Sequence, residues 1–130
     1  MPRTVMIVDD DNDIVELTRL VLERGGYRVC TAVSGREALS NVQHERPDLI
    51  LLDINMPEMD GWQVLKVLKL DDTTRGIPVA MFTIRGEVRD KVRGIQDGAC
   101  DYVAKPFTYD ELLGRVGAIF QAAGRGRASG

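Results

Sequence analysis

Short apolar runs alternate along this chain with longer stretches in which apolar residues recur every three or four positions, the pattern of strands followed by helices. The first run, Val5-Met6-Ile7-Val8, is apolar at every position, and so is Leu49-Ile50-Leu51-Leu52. A strand with one wet face would alternate, so both runs predict central strands covered on both sides, the later one finishing at Asp53. Residues 27–32 predict a second strand, Val79 to Thr83 a fourth, and Tyr102-Val103 a short fifth. Between them, Ile14, Leu17, Val21 and Leu22 mark a helix ending near Arg24, with Gly25-Gly26 positioned for a left-handed cap. Ser34-Gly35-Arg36-Glu37 is a capping box opening a second helix to about Glu45, which Pro47 stops. Val64, Leu65 and Leu68 mark a third helix, and Val88, Val92 and Ile95 a fourth that ends at Gly98. Thr108-Tyr109-Asp110-Glu111 is another capping box, opening a fifth helix with Leu112, Leu113, Val116, Ile119 and Phe120. The stretch from Gly124 to Gly130 is expected to be disordered.

Five strands with intervening helices predict an α/β fold, a doubly wound five-stranded parallel sheet with right-handed crossovers. At 130 residues and 44% hydrophobic content there is room for one domain with a core that needs no metal or disulfide staple. The balance of 17 Lys plus Arg against 20 Asp plus Glu excludes a polybasic nucleic-acid binder and an acidic disordered tail. Cys30 and Cys100 are far apart and lack metal-ligand spacing, which predicts free buried thiols in a reducing compartment. No apolar run reaches the ~18 residues of a membrane span, and Met-Pro-Arg-Thr leads into a strand too short for a signal peptide. The expectation is a cytoplasmic protein.

Sheets of this kind bind ligands beyond the carboxyl ends of their strands. There stand Asp9, Asp10 and Asp11 after strand one, Asp53 closing strand three, Thr83 closing strand four and Lys105 past strand five. Taken alone, Asp9-Asp10-Asp11-Asn12-Asp13 reads as a helix cap, Asp11 or Asn12, with the other acids solvated near the helix's positive end. Asp53 changes that reading: if strands one and three are neighbours, its carboxylate shares a pocket with those of Asp9 and Asp10. Two carboxylates ~4 Å apart repel by about 1 kcal/mol in water and about 4 near a protein surface, so a cation is needed. An all-oxygen site with room for water suits Mg²⁺. A carboxylate approached by a metal, a hydroxyl and an ammonium is arranged for phosphoryl transfer. In that arrangement Asp53 is the nucleophile, Asp9 and Asp10 hold the metal, and Lys105 pairs with the phosphoryl group or with Asp53. Thr83 donates its hydroxyl to a phosphoryl oxygen.

The segments VMIVDDDNDI, LILLDINMPEMDG, VAMFT and DYVAKPF resemble the defining segments of response-regulator receiver domains of two-component signalling, over residues 4 to about 121. The resemblance implies a flavodoxin-like (βα)5 fold with strand order 2-1-3-4-5, a receiver domain over 1–121 and a flexible tail or linker stub over 122–130. It implies that Asp53 accepts phosphate from a histidine kinase or a histidine phosphotransfer protein. Asp9, Asp10, Asp53 and the backbone carbonyl of Asn55 would bind Mg²⁺, with Mn²⁺ as an alternative. Thr83 and Tyr102 would form the switch, remodelling the face of the fourth helix, strand five and the fifth helix that a downstream protein target reads. The Lys105–Pro106 bond would be cis, aiming Lys105 inward. The implied protein catalyses its own phosphorylation and dephosphorylation without being a metabolic enzyme, binds neither nucleic acid nor membrane directly, and is a monomer or a phosphorylation-linked dimer.

One departure from the family pattern lies beside the chemistry. The residue after Thr83 is commonly small, whereas this chain has Ile84 followed by Arg85, which predicts slow spontaneous dephosphorylation. Arg85, Arg89 and Arg93 are spaced as a basic stripe, a solvated face or a docking surface for an acidic segment. His44 is expected to be exposed and Trp62 to pack near the pocket rim. Among rival functions, a haloacid-dehalogenase-like phosphatase needs a second Asp two positions after its nucleophile, where Asn55 stands. A flavin binder needs a Ser/Thr/Gly-rich phosphate loop after strand one, which the Asp run would repel. The remaining alternative is a degenerate receiver that acts as an unphosphorylated protein-interaction module, although its acidic, hydroxyl and ammonium positions are all filled.

Overall fold

The computed structural model describes residues 2–84 and 98–129, with side chains described for residues 2–82 and 98–123. Five parallel strands, β1 (Thr4–Val8), β2 (Arg28–Ala32), β3 (Leu49–Asp53), β4 (Val79–Ile84) and β5 (Asp101–Lys105), form one sheet in the order β2-β1-β3-β4-β5. Helices α1 (Asn12–Arg24), α2 (Gly35–Glu45), α3 (Gly61–Leu70) and a C-terminal helix (Tyr109–Ser129) flank it. The parallel, doubly wound sheet is the one expected from the alternation of runs, and its strand order is the flavodoxin-like one that the resemblance implies.

The all-apolar strands behave as the pattern requires. Successive side chains point to opposite faces of a sheet, so each such run feeds two cores at once. Val5, Ile7, Leu49 and Leu51 pack with α1 and the C-terminal helix, whereas Met6, Val8, Ile50 and Leu52 pack with α2 and α3. All eight are at most 1% exposed, which is why β3 carries no polar residue before Asp53 and β1 none after Thr4 at its start.

The helix boundaries follow the local signals. Asp11 is the N-cap of α1, accepting from the backbone N–H of Asp13 at 3.0 Å and of Ile14 at 3.4 Å. Gly26, at φ 93, takes the left-handed conformation that ends α1, and the Tyr27 N–H closes back on the Leu22 carbonyl. Ser34 caps α2, and Thr108 and Glu111 complete a reciprocal capping box on the C-terminal helix.

Three expectations are corrected. Strand β5 runs from Asp101 to Lys105 rather than over Tyr102-Val103 alone, because it pairs along Ala80–Ile84 and its polar ends hide it from an apolar-run reading. The C-terminal helix continues through 122–129, where a disordered tail was expected; no proline interrupts it, and its Ala and Arg residues offset the poor helix propensity of Gly124 and Gly126. Cys100 is exposed, since it lies on the segment entering β5 rather than in the sheet, while Cys30 is half-buried; both are free. The fourth-helix markers Val88, Val92 and Ile95, and the arginines at 85, 89 and 93, lie outside the described residues. No helix among the described residues is long and apolar enough to cross a membrane.

Candidate functional site

The site is assembled by strand parity. Asp9, Asp53 and Lys105 each stand two positions beyond a residue of the core shared with α1 and the C-terminal helix, namely Ile7, Leu51 and Val103. The two-residue period therefore turns all three toward one side at the carboxyl ends of three different strands. Strand β3 lies between β1 and β4, so Asp9 and Asp53 are on adjacent strands and Lys105 reaches in from β5.

Carboxylate oxygens of Asp9, Asp10 and Asp53 all lie within 4.8 Å of one another. Asp9 and Asp53 are buried and Asp10 is exposed. The Lys105 Nζ donates to Asp9 Oδ2 at 2.7 Å and to Asp53 Oδ1 at 3.2 Å, bridging residues 96 and 52 positions away. Asp9 Oδ1 also accepts the backbone N–H of Asp11 at 3.0 Å, which locks this carboxylate to the start of α1.

One ammonium faces three carboxylates, and the electrostatics register the imbalance. Burial pushes the Asp53 carboxyl up; Lys105 pulls it down, the Asp9 charge pushes it up again, and the Asn55 backbone N–H helps hold the charged form. The outcome is a pKa of about 6 against an ordinary 3.8. For Lys105, burial would lower the pKa, but the hydrogen bond to Asp9 and the charges of Asp53 and Asp9 outweigh it, and the ammonium is held above its usual range. A hard divalent cation fits this donor set, since the cluster offers only oxygens and its excess negative charge is not neutralised by Lys105.

The other expected residues fall in different places. Asn55 is an exposed loop residue two positions beyond the end of β3, and the Lys105–Pro106 bond is cis. Tyr102 is half-buried against the opposite core, which also holds Ile54, Met56 and Trp62, so it is not among the acids. Thr83 is the penultimate residue of β4, in register with Ala104; its side chain and that of Ile84 lie outside the described residues. Trp62 is a buried core residue, and His44 is exposed.

Two contributors were not legible as such. Gly61 is the first residue of α3, inside the Asp60–Gln63 capping box, and a Cβ there would collide with the Asp53 carbonyl and stand 2.8 Å from the Ile54 Cα. Its N–H donates to the Ile54 carbonyl at 2.8 Å, pinning the loop beside Asp53. The sequence signal, a glycine four positions after Pro57 and directly after Asp60, reads only as a turn. The second is Phe82, whose ring lies under Lys105, with the Nζ 5.2 Å from the ring centroid. An aromatic in an apolar strand looks like any other core residue.

Comparison with known proteins identifies the family. Residues 5–117 match the response regulator receiver domain family. The chain belongs to that family. As a receiver domain it is 42% identical over 125 residues to the DNA-binding dual master transcriptional regulator RpaA of Synechocystis, covering 96% of this chain and 52% of that protein. It is 42% identical over 120 residues to the transcriptional regulatory protein PrrA of Mycobacterium leprae, covering 92% of this chain and 51% of that one. The chain thus spans about half the length of these relatives. Among solved structures, the chemotaxis response regulator CheY4 of Vibrio cholerae superposes with a TM-score of 0.86 at 33% identity, covering 92% of this chain and 99% of that one. These relatives are signalling proteins rather than metabolic enzymes.

Proposed function

We propose that this receiver domain is a phosphorylation-controlled switch in which Asp53 takes a phosphoryl group from a phosphohistidine of a kinase or phosphotransfer protein. The observation that carries the reading is the meeting of Asp9, Asp10, Asp53 and Lys105 at the carboxyl ends of β1, β3 and β5. A carboxylate oxygen of Asp53 attacks phosphorus, the P–N bond to the donor imidazole breaks, and its electron pair stays on the ring nitrogen. The product is an acyl phosphate, an anhydride that water can later cleave. Asp9, Asp10, Asp53 and the Asn55 carbonyl are the residues that would hold Mg²⁺ or Mn²⁺, and such an ion, when bound, screens the carboxylates and the phosphoryl oxygens from one another.

Lys105 shields two carboxylates before transfer and has an ammonium free to follow the phosphoryl oxygens afterwards. The new dianion favours whichever arrangement of Lys105 and the Thr83 hydroxyl receives it, and population shifts to that arrangement. Tyr102, packed beside the core that Ile54 and Met56 also line, is the route by which the shift reaches the β5 face and a downstream protein. Ile84 and Arg85, following Thr83, are read as slowing hydrolysis of the anhydride.

Incubation with acetyl phosphate and Mg²⁺, followed by intact mass, tests the reading. One labile phosphoryl adduct is expected, lost in Asp53→Asn and absent when the metal is chelated. An unmodified chain under the same conditions favours the degenerate interaction module instead.

A further inference from the structure

The ring of Phe82 belongs to the core and also has a cation over its face. Phe82 is 1% exposed and stands in register with Asp53 on one side and with Val103 on the other, two positions before Lys105 in β5. It shares the strand parity of Asp9, Asp53 and Lys105, so its side chain belongs to the same side of the sheet. The Lys105 Nζ lies over this ring, 5.2 Å from its centroid, inside the ~6 Å range in which a cation is drawn to an aromatic face. Phe107, which follows the Lys105–Pro106 pair, stacks on Phe82 with centroids 5.9 Å apart and planes 15° from parallel. The chain that carries the ammonium therefore also clamps the ring beneath it.

We propose that Phe82 is a positioning residue for phosphoryl transfer: its ring, held by Phe107, forms the floor on which the Lys105 ammonium rests between Asp9 and Asp53. This rests on the phosphoacceptor reading of Asp53. Two carboxylate bonds define a line along which a flexible lysine can still swing; the aromatic face supplies the third contact and leaves the ammonium one location. A lysine has several rotatable bonds, so without the floor more of its conformations point to solvent, and fewer encounters with a phosphodonor find the cation in place. An apolar residue of similar bulk, such as leucine, fills the core but offers no negative face.

The experiment measures the rate of adduct formation on the full chain with acetyl phosphate and Mg²⁺. The native chain is compared with Phe82→Leu, Phe82→Tyr and a chain carrying a trifluorinated phenylalanine at position 82, which keeps the ring's shape and removes its negative face. A slowing of about 5–10-fold is expected for Phe82→Leu and for the fluorinated ring, and a rate within about twofold of native for Phe82→Tyr. In a Lys105→Met background Phe82→Leu should slow the residual reaction no further. A fluorinated chain that reacts like the native one overturns the proposal, as does equal slowing by Phe82→Leu with and without Lys105.

Urea unfolding of the native chain, Phe82→Leu, Lys105→Met and the double variant gives a readout independent of phosphoryl transfer. Midpoint shifts that fall short of additive support the contact, and additive shifts overturn it. If the native chain takes no phosphoryl group, the phosphoacceptor reading fails, and the unfolding cycle still decides whether the ring holds Lys105.

Discussion

Two half-buried lysines, at opposite ends of the sheet, have opposite electrostatic fates. Lys69, near the amino end of β4, donates to two neutral backbone carbonyls, those of Arg75 at 3.0 Å and Ile77 at 2.9 Å. Burial dominates there, and its ammonium is held below the usual lysine range despite the Cys100 thiol nearby. Lys105, at the carboxyl end, donates to two carboxylates and is held above that range even though burial opposes it. Carbonyl dipoles satisfy the hydrogen-bonding needs of an ammonium without adding net charge, so Lys69 is a clasp on the loop between α3 and β4. Carboxylates in excess make a charged cluster with an unmet demand for cations, part of which Lys105 meets. The same residue type is shifted in opposite directions in the two regions because its acceptors differ in charge.

The largest effect that sharpens this contrast is on pH-dependent stability. Asp53 has a folded pKa of about 6 against 3.8 when free. A raised carboxyl pKa means that the folded state keeps its proton while the unfolded state has lost it. The stabilisation is therefore complete below 3.8 and disappears as pH rises through about 6. In chelator, urea unfolding of the native chain should lose about 3 kcal/mol across that window, a loss that Asp53→Asn removes and saturating Mg²⁺ offsets. A native chain whose metal-free stability is flat from acid to neutral pH would break the contrast.

Next in size is the paired replacement of the two lysines. Lys105→Met leaves two buried carboxylates facing each other and should cost about 2–3 kcal/mol at neutral pH without metal, with most of it recovered on adding Mg²⁺. Lys69→Met leaves two carbonyls unpaired, and should cost about 1–2 kcal/mol with no response to Mg²⁺. Metal-responsive recovery of both variants, measured by urea unfolding, would show that the lysines are not different in kind.

Glycines at the two ends provide a smaller version of the test. Gly61→Ala drives a methyl into the backbone of Asp53 and Ile54, and should cost about 2 kcal/mol while weakening Mg²⁺ binding. Gly76→Ala, where a Cβ meets nothing within 4 Å, should change stability by no more than about 0.5 kcal/mol in either direction and leave Mg²⁺ binding unchanged. Thermal unfolding and metal titration on the two variants check both statements. The smallest expected change is kinetic: Ile84→Ala should shorten the lifetime of the phosphoryl adduct several-fold, read by the decay of the adduct mass after donor removal.

The extent to which this architecture was readable from residue order depends on how local each signal is. Val5 to Val8 and Leu49 to Leu52 announce buried strands because a continuous apolar run has no wet face, whatever its neighbours. Ser34 and Thr108 announce helix starts because a cap hydrogen bond spans three residues. The ends of β5 escaped, because Asp101 and Lys105 are polar and join the strand only through pairing with β4. The C-terminal helix outran its expected end for the complementary reason: composition alone does not say where a helix of Ala, Arg and Gly stops. Of the acidic run, Asp11 caps α1 as the cap reading has it, while Asp9 turns into a cluster with Asp10 and Asp53 that no local signal could assemble.

By itself, then, the order of residues determined the five strands, most helix boundaries and the set of charged residues available at strand ends, since each depends on contacts within a few positions. Only the tertiary structure decided that Asp9, Asp53 and Lys105 share one side of the sheet and that a phenylalanine floor lies beneath the ammonium. Strand order and register, which bring residues 52 and 96 positions apart within bonding distance, arise from packing of the whole chain, and a burial-driven pKa has no meaning until that packing exists.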